Sequence, residues 1–563
     1  MPGKWLKRTL VPLAVLSLAA VTACGDSSDP TQMETTDASQ PITISFFGSD
    51  PNATWNNMKD DVGQAITKAT NVTVNAEYDV SGGGTQKISL MTASGEYPDM
   101  IFPKGSITKL VDAGALIDLT DLIDKYGPNI KKVYGDDLSR LQYSKEDPSI
   151  YVIPTNAGVG QTSFDAGGGF EIQNEVMKEM GYPKIKTVND FEKVLKAYKE
   201  KHPTINGQPT IPLSLNADDW KIMITVTDPA VNATGGTPDG EFDINPKTYE
   251  ARLHYKRPED KEYFRWLNHM YNEGLLDPET FTQKNDQYLS KIASGRVLGL
   301  IDQEWDYQQA ENSLKTSGMA ERTYGHYPLQ MTESTKDHSF QDAGPPVGYG
   351  IGITTSAKDP IRIIKFLDWM ASDEAQVLNN WGIEGKHYEM KDGKRSMPAE
   401  IQDRRVNDNT NFTRESGIGM YNFSVRYGDG VKDPSGNYYT TNFPEQIVAG
   451  YTQPEKDALK AYGATTWKDL FPAKEEFPVK EWGAAYNLPA PSDPSYTVAF
   501  QKSQDIVRKR IPEAILASPD QFDSIYDQMI AELSTDDMKQ MEAQYSQMIK
   551  DTVELWSQPV AAK

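Results

Sequence analysis

Past residue 40 the apolar positions recur at two spacings, and the switching between them predicts the architecture. Ile42-Thr43-Ile44-Ser45-Phe46-Phe47 is a β-run, Trp55 to Ala69 repeats its apolar positions at helical spacing, and Val72 to Tyr78 alternates as a second strand. A helix from about Thr85 to Ala93 and a short strand from Asp99 to Phe102 continue the pattern. Strand and helix alternating in this way imply an open, mostly parallel sheet. In such sheets ligands bind beyond the carboxyl ends of the strands. That rule nominates Phe47 to Asp50, Asp79 to Gly83 and Phe102 to Lys104 as rim positions. Ser81-Gly82-Gly83-Gly84 lacks the Gly-Lys-Ser/Thr that a phosphate loop requires, so it reads as a turn.

Further along, Tyr151-Val152-Ile153-Pro154 is a short strand after which the chain is expected to cross to a second lobe. Amphipathic helices are expected at Ile172 to Met180 and Val188 to Lys199, with a Pro/Asn/Gly turn from His202 to Pro209. Lys261 to Asn272 is a strong helix closed by Gly274. Val297 to Ile301 reads as a buried strand, and Asp302-Gln303-Glu304-Trp305 emerges from its end. Val347 to Thr354 leads into a helix at Ile361 to Ala371, and long helices close the chain from Ala499 to Ile511 and, with breaks, from Gln521 to Trp556. About 520 folded residues exceed what one core organises, which predicts two lobes.

The first 40 residues differ in kind. Lys4, Lys7 and Arg8 precede an apolar stretch from Leu10 to Ala20, and Val21-Thr22-Ala23-Cys24 resembles a bacterial lipobox. The apolar stretch falls short of the roughly 20 residues a spanning helix needs. Cys24 is the chain's single cysteine, so no disulfide competes for it. The alternative is a plain secretion signal with an incidental cysteine. A diacylglycerol and an N-acyl chain on Cys24 would together hold the mature protein stably on the outer face of the cell membrane. Gly25 to Gln40, rich in Ser, Asp, Thr and Pro, is expected to be a flexible tether.

Charge removes one class of partner. With 57 Lys+Arg against 80 Asp+Glu, and no basic stripe, nucleic acid is disfavoured. No Gly-x-Ser-x-Gly elbow, His-Glu-x-x-His motif or Walker loop is present, and the six histidines are far apart in sequence. No metal and no cofactor is expected.

Several blocks carry a family resemblance. Tyr263-Phe264-Arg265-Trp266-Leu267-Asn268, continuing through Glu273-Gly274-Leu275-Leu276-Asp277-Pro278-Glu279 to Phe281-Thr282-Gln283, resembles the bacterial family 1 extracellular solute-binding lipoproteins of oligosaccharide ABC importers. Ala93-Ser94-Gly95-Glu96-Tyr97-Pro98-Asp99 and Tyr126-Gly127-Pro128-Asn129-Ile130 are similar to their loops. So is the stretch from Ile363 to Trp369, followed by Ser372-Asp373-Glu374-Ala375-Gln376 and Gly382 to Tyr388. The resemblance implies a two-lobed, type II periplasmic-binding-protein-like α/β fold with a ligand cleft between the lobes. It also implies an oligosaccharide ligand and the transmembrane subunits of an ABC permease as partners. The first lobe is expected to take residues 41–153 and about 307–375, the second 154–306 and about 376–563. The chain is expected to act as a monomer.

One departure concerns metal. Many relatives carry an acidic calcium loop, whereas His202-Pro203-Thr204-Ile205-Asn206-Gly207-Gln208-Pro209-Thr210 has no carboxylate, so this loop is expected to be metal-free. Asp429 to Asp433 and Asp239 to Asp243 are acidic loops that could bind an ion, but they read first as solvated turns.

A pyranose presents C–H faces and a belt of hydroxyls, so its site needs flat aromatic platforms beside directional polar groups. Trp305 is the first candidate, with Asp302 and Glu304 beside it, against the alternative of a core tryptophan capping the strand. Asp218-Asp219-Trp220 repeats the pattern of acid and aromatic after the apolar run ending at Leu215, with a surface role equally open for Asp219 and Trp220. Tyr349 is nominated because flanking glycines would leave its ring accessible. Phe47, Asp50, Asp79 and Phe102 rest on strand-end geometry alone, with packing or capping as the alternative, and Trp381 and Arg426 are weaker candidates. Asp302 with Glu304, or Asp218 with Asp219, would also suit a glycosidase carboxylate pair, so a carbohydrate-active enzyme stays open as the lesser reading. An oligopeptide receptor is the other alternative. The expected sugar is a plant cell-wall fragment, of hemicellulose or pectin.

Overall fold

The computed structural model describes residues 37–80, 84–237 and 239–557, so Cys24, most of the tether and the Ser81 to Gly83 turn lie outside the described residues. Strand β1 (Ile42–Gly48) pairs in parallel with β2 (Val72–Tyr78) on one side and with β3 (Met100–Phe102) on the other. Its alternation puts Ile44 and Phe46 against Val62 and Ile66 of α1 (Asp61–Thr70), and Phe47 against Ile88 of α2 (Gly84–Ser94). Helix α1 starts six residues later than the apolar spacing from Trp55 predicts. The buried Asp60 carboxylate accepts from the Gly63 N–H at 2.7 Å and sets the start, while Trp55 packs edge-on against Tyr78 and Tyr421.

Strand β4 (Ile153–Pro154) ends the first sheet's opening pass, and the chain then builds a second sheet. Its strands are β5 (Gly168–Gln173), β6 (Ile211–Leu213), β7 (Val297–Gln303) and β8 (Tyr324–Tyr327), in the order β8-β5-β7-β6. The helix expected from Ile172 is confined to Asn174–Glu179, because Phe170 and Ile172 are held in the ladder opposite Ile301 and Gly299. Helices α3 (Val188–Lys201) and α4 (Pro258–Asn272) cover one face of this sheet, where Phe170, Phe191 and Trp266 meet. Proline at the first turn, where an N–H would be unpaired anyway, accounts for the start of α4. On the opposite face, α5 (Glu304–Thr316) packs Tyr307, Ala310 and Leu314 beneath β7.

Strand β9 (Gly350–Ile353) then returns to the first sheet, whose order is β2-β1-β3-β9-β4. It runs antiparallel to β3 and β4, so its amino end lies at the carboxyl edge of the others. In the second sheet β6, β7 and β8 likewise share one carboxyl edge, at which β5 begins. The segments 155–167 and 328–349 therefore join carboxyl edge to carboxyl edge, and the two edges form the two sides of a gap.

The lobe boundaries differ from the expected ones. Residues 307–327 stay with the second sheet, since Tyr324–Tyr327 pairs with β5 and α5 packs on β7, and the first sheet regains the chain only at β9. Conversely Phe412, Ile418, Met420, Tyr421, Phe423 and Val425, expected in the second lobe, pack into the first core. The second core resumes at Ala458 and includes the three closing helices, α6 (Pro494–Leu516), α7 (Phe522–Glu532) and α8 (Asp536–Trp556). Local periodicity identifies a strand or helix but not the sheet that it joins.

The 202–210 segment is a hairpin, Thr204–Ile205 against Gln208–Pro209, turned by Asn206 and Gly207 at φ 50° and 74°. Of the other acidic loops, Asp433 pairs with Arg395, and Asp239 is buried against Lys480 at 3.0 Å. Among the described residues no helix is long and apolar enough to cross a membrane.

Candidate functional site

Two loops leave the carboxyl edge of the second sheet side by side. One follows β6 and carries Asp218-Asp219-Trp220-Lys221; the other is the start of α5, Glu304-Trp305-Asp306. Trp220 and Trp305, 85 positions apart, lie nearly parallel at 14° with ring centroids 6.1 Å apart. They remain 40% and 59% exposed. Two adjacent indoles left facing solvent at a strand-end edge are an unusual use of large apolar surface, whereas single exposed apolar residues are common.

The next residue of each loop repeats the pairing in charge. Lys221 forms an ion pair with Asp306, both largely buried, and the Lys221 ammonium lies 5.5 Å from the centre of the Trp220 ring. Polar ties hold the rest of the first loop. Asp218 accepts from Lys284 at 2.9 Å and from the Asn285 N–H at 3.1 Å, and the lysine holds its carboxyl below the usual range. Asp219, in the left-handed region at φ 52°, pairs with Arg508 of α6 at 3.0 Å. The platform is therefore pre-formed, which reduces the ordering cost when a ligand stacks on it.

Asp302 and Glu304 part company. Asp302 is 1% exposed and accepts from the Tyr288 hydroxyl and the Gln303 N–H, both at 2.7 Å. Burial, and next the neighbouring Asp306, push its carboxyl up to about 7. It is not available for direct ligand contact, contrary to the expectation. Glu304 instead turns toward a cavity of about 510 Å³ between the sheets. Gln161, Asp165 and Gly167 of the crossing segment, Glu311 and Lys315 of α5, Glu455, and Arg405 and Asn442 from the chain after β9 also line it. Burial raises Glu304 and Glu455 to about 7, while Asp165 accepts from Tyr451 at 2.5 Å. Asp302 is held in the core by Tyr288, whereas Glu304 lines the cavity.

The first sheet contributes the other rim. Asp50, just past β1, is exposed and pairs with Lys104 just past β3 at 2.8 Å. Asp79 follows β2, its N–H donating to the Gly48 carbonyl at 2.9 Å. Phe102 ends β3, partly buried against the first core. Phe47 is a correction. At 2% exposed it packs with Ile88 and Ile101, because it is the last inward position before the strand ends at Gly48.

Tyr349 stands at the amino end of β9 and donates its hydroxyl to the Tyr486 carbonyl at 3.2 Å, touching the other lobe. Its glycine neighbours serve the backbone, not the ring. A Cβ on Gly348 (φ 79°) would come within 1.8 Å of the Asn487 oxygen, and one on Gly350 within 2.3 Å of the Ile153 oxygen. Trp381 is core, its Nε1 donating to the Tyr438 carbonyl at 3.1 Å, and Arg426 donates to the Thr155 carbonyl of the crossing segment. Lys221, Asp306, Arg508 and Tyr486 were not legible as site residues. Lys221 and Asp306 directly follow the nominated Trp220 and Trp305, which is the one local signal, whereas the fold brings in Arg508 and Tyr486 from distant segments.

Residues 61–380 match the family model described as bacterial extracellular solute-binding protein. Lipoprotein LipO of Bacillus subtilis (strain 168) is 24% identical over 350 residues, covering 59% of this chain and 64% of LipO, so the match spans just under two thirds of that relative. The fructooligosaccharide ABC transporter substrate-binding protein FusA of Streptococcus pneumoniae serotype 4 is 25% identical over 399 residues, covering 66% of this chain and 70% of FusA. Among solved structures, an HMO-binding, ABC-transporter-associated solute-binding protein from Bifidobacterium longum infantis superposes with a TM-score of 0.66 at 15% identity, covering 92% of this chain and 99% of its own. FusA in complex with kestose gives 0.62 at 16%, covering 90% and 99%. At these identities the superpositions show the fold, which is the two-lobed α/β fold of solute-binding proteins.

Proposed function

Starting from the chain's membership of the bacterial extracellular solute-binding protein family, we propose that it is the substrate-binding lipoprotein of an ABC importer and captures oligosaccharides between its two sheets. The observation that carries this reading is the exposed Trp220 and Trp305 pair, braced by Lys221 and Asp306 at the carboxyl edge of a sheet. Sugar C–H faces stack on such a surface, and the neighbouring carboxylates and amides accept and donate to the ring hydroxyls. Asp50 with Lys104, Asp79, Phe102 and Tyr349 meet the ligand from the opposite edge.

A ligand that bridges both edges favours the closed form only by the difference in its affinity for closed and open states. The permease reads that closed form, and the ATPase subunits supply the energy of transport. Cys24 carries the lipid anchor, and the protein acts as a monomer and not as an enzyme. The ligand is a fragment of plant cell-wall polysaccharide.

The test is a thermal-shift and calorimetric screen of the protein from Pro41 onward against hemicellulose and pectin oligomers, maltodextrins, fructans and peptide pools. A melting point raised by one glycan series, with no sugar product formed over a long incubation, is the expected result. A shift with peptides alone overturns the sugar assignment, and product formation overturns the non-enzymatic one.

A further inference from the structure

We infer that the ligand is uncharged, and that the site discriminates against acidic sugars such as uronates. The inference rests on the oligosaccharide reading and narrows it. Its basis is the pairing of four cations at the two edges and the excess of carboxylates in the cavity beside them. Lys104 is held by Asp50 at 2.8 Å, Lys284 by Asp218 at 2.9 Å, Arg508 by Asp219 at 3.0 Å, and Lys221 by the buried Asp306. In the cavity, Lys315 pairs with Glu311 at 3.2 Å, while Arg405, which forms no ion pair among the described residues and is governed chiefly by burial, shares the lining with five carboxylates, Asp165, Glu304, Glu311, Asp429 and Glu455.

At the edges a uronate carboxylate would have to take one of these cations from its partner, and in the cavity it would reach Arg405 only among five carboxylates. At Lys221 that would strand Asp306, whose side chain is 5% exposed and whose Oδ2 already lacks a hydrogen-bond partner. Breaking a largely buried pair in this way is strongly unfavourable. At the other edge sites it would bring two carboxylates to one cation, and the cavity itself is already lined by Asp165, Glu304 and Glu455. Like charges set together at an interface oppose binding and exclude wrong partners.

A neutral sugar meets neither obstacle. Its hydroxyls donate to the carboxylates and accept from the cations without separating the pairs, while its apolar face covers Trp220 and Trp305. The same arrangement selects against an acidic ligand and suits a polyol. Within the plant-wall classes this favours neutral hemicellulose oligomers over galacturonate-containing pectin.

The experiment is calorimetry on the protein from Pro41 onward, at pH 7.5 and low salt, with length-matched neutral oligomers (xylo-, arabino-, fructo- and malto-series), oligogalacturonates and alginate oligomers, beside a peptide pool. At least one neutral series is expected to bind, with every uronate series at least about 100-fold weaker. A uronate oligomer that binds as tightly as the best neutral one overturns the inference and leaves the oligosaccharide reading standing. Binding of peptides alone overturns that reading as well. Asp219→Asn, which frees Arg508, is a second arm. The neutral-to-uronate affinity ratio is expected to fall at least about fivefold, and an unchanged ratio refutes charge pairing as the basis of discrimination.

Discussion

Replacing Lys221 with Met tests whether the ion pair behind the tryptophans is what holds the platform. The substitution keeps most of the side chain's length and apolar stem while removing its charge. Asp306, with its side chain 5% exposed, is then left without the one cation that pairs with it. Removing one partner of a buried pair typically costs 3–5 kcal/mol, and because Lys221 keeps 15% of its side chain in solvent, about 3 kcal/mol is expected.

The cost should depend on pH. Asp302 is raised to about 7 chiefly by burial and then by Asp306, while Lys221 pulls it down. Without the ammonium Asp302 is pushed further up, so its protonated form is stabilised relative to the charged one. A carboxyl raised in the folded state contributes stability that is present below its unfolded value of about 4 and lost as pH rises through the folded value. The variant should therefore lose more at pH 8 than at pH 5. At roughly 2.1 cal/mol/K of unfolding entropy per residue and roughly 280 residues in the second lobe, 3 kcal/mol lowers its melting point by about 5 °C. Scanning calorimetry at both pH values reads this, and Lys221→Met with Asp306→Leu should recover most of the loss. A single variant within about 0.5 kcal/mol of the parent at pH 8, or a double variant no better than the single, refutes the reasoning.

Trp305→Ala removes a ring that is 59% exposed, so it should change the melting point by under about 2 °C while weakening oligosaccharide binding about 10–100-fold; calorimetric titration of both proteins checks the pair of outcomes. Asp302→Asn removes a group that binds its proton more tightly folded than unfolded. Stability should then fall less steeply between pH 5 and 8 than in the parent, and an identical slope in denaturant titrations counts against a raised Asp302. Gly348→Ala should destabilise by at least about 2 kcal/mol, since φ is 79° and the new methyl would sit 1.8 Å from the Asn487 oxygen; a melting point equal to the parent's would mean the contact between segments is not maintained in solution.

The elements themselves were largely legible. Val72 to Tyr78 is a strand at its predicted bounds, the β7 run extends two residues beyond the predicted Ile301, and the glycine-closed helix before Gly274 is present. Each is decided by nearest neighbours along the chain, through alternation, capping and turn chemistry. Trp220 and Trp305 were nominated on local grounds as well, each beside acids just after an apolar run, and their role in binding rests on the proposal above. Misreadings arose where a distant segment decides. Phe47 and Asp50 look alike by strand-end geometry, but Ile88 of another helix buries one and Lys104 pairs with the other. Asp302 and Glu304 look like one acidic pair until Tyr288 sequesters the first.

The order of spacings determined by itself that this is an α/β chain, because backbone geometry reads hydrophobicity locally, and its length alone called for two lobes. Tertiary structure alone decided that Trp220 lies beside Trp305, that Lys221 answers Asp306, that the cations at the edges are paired, and that residues 412–425 return to the first core. The physical reason is that a contact between residues far apart depends on which sheet each segment joins and in what register. Many pairings are compatible with the same local pattern, and only packing of the whole chain selects among them.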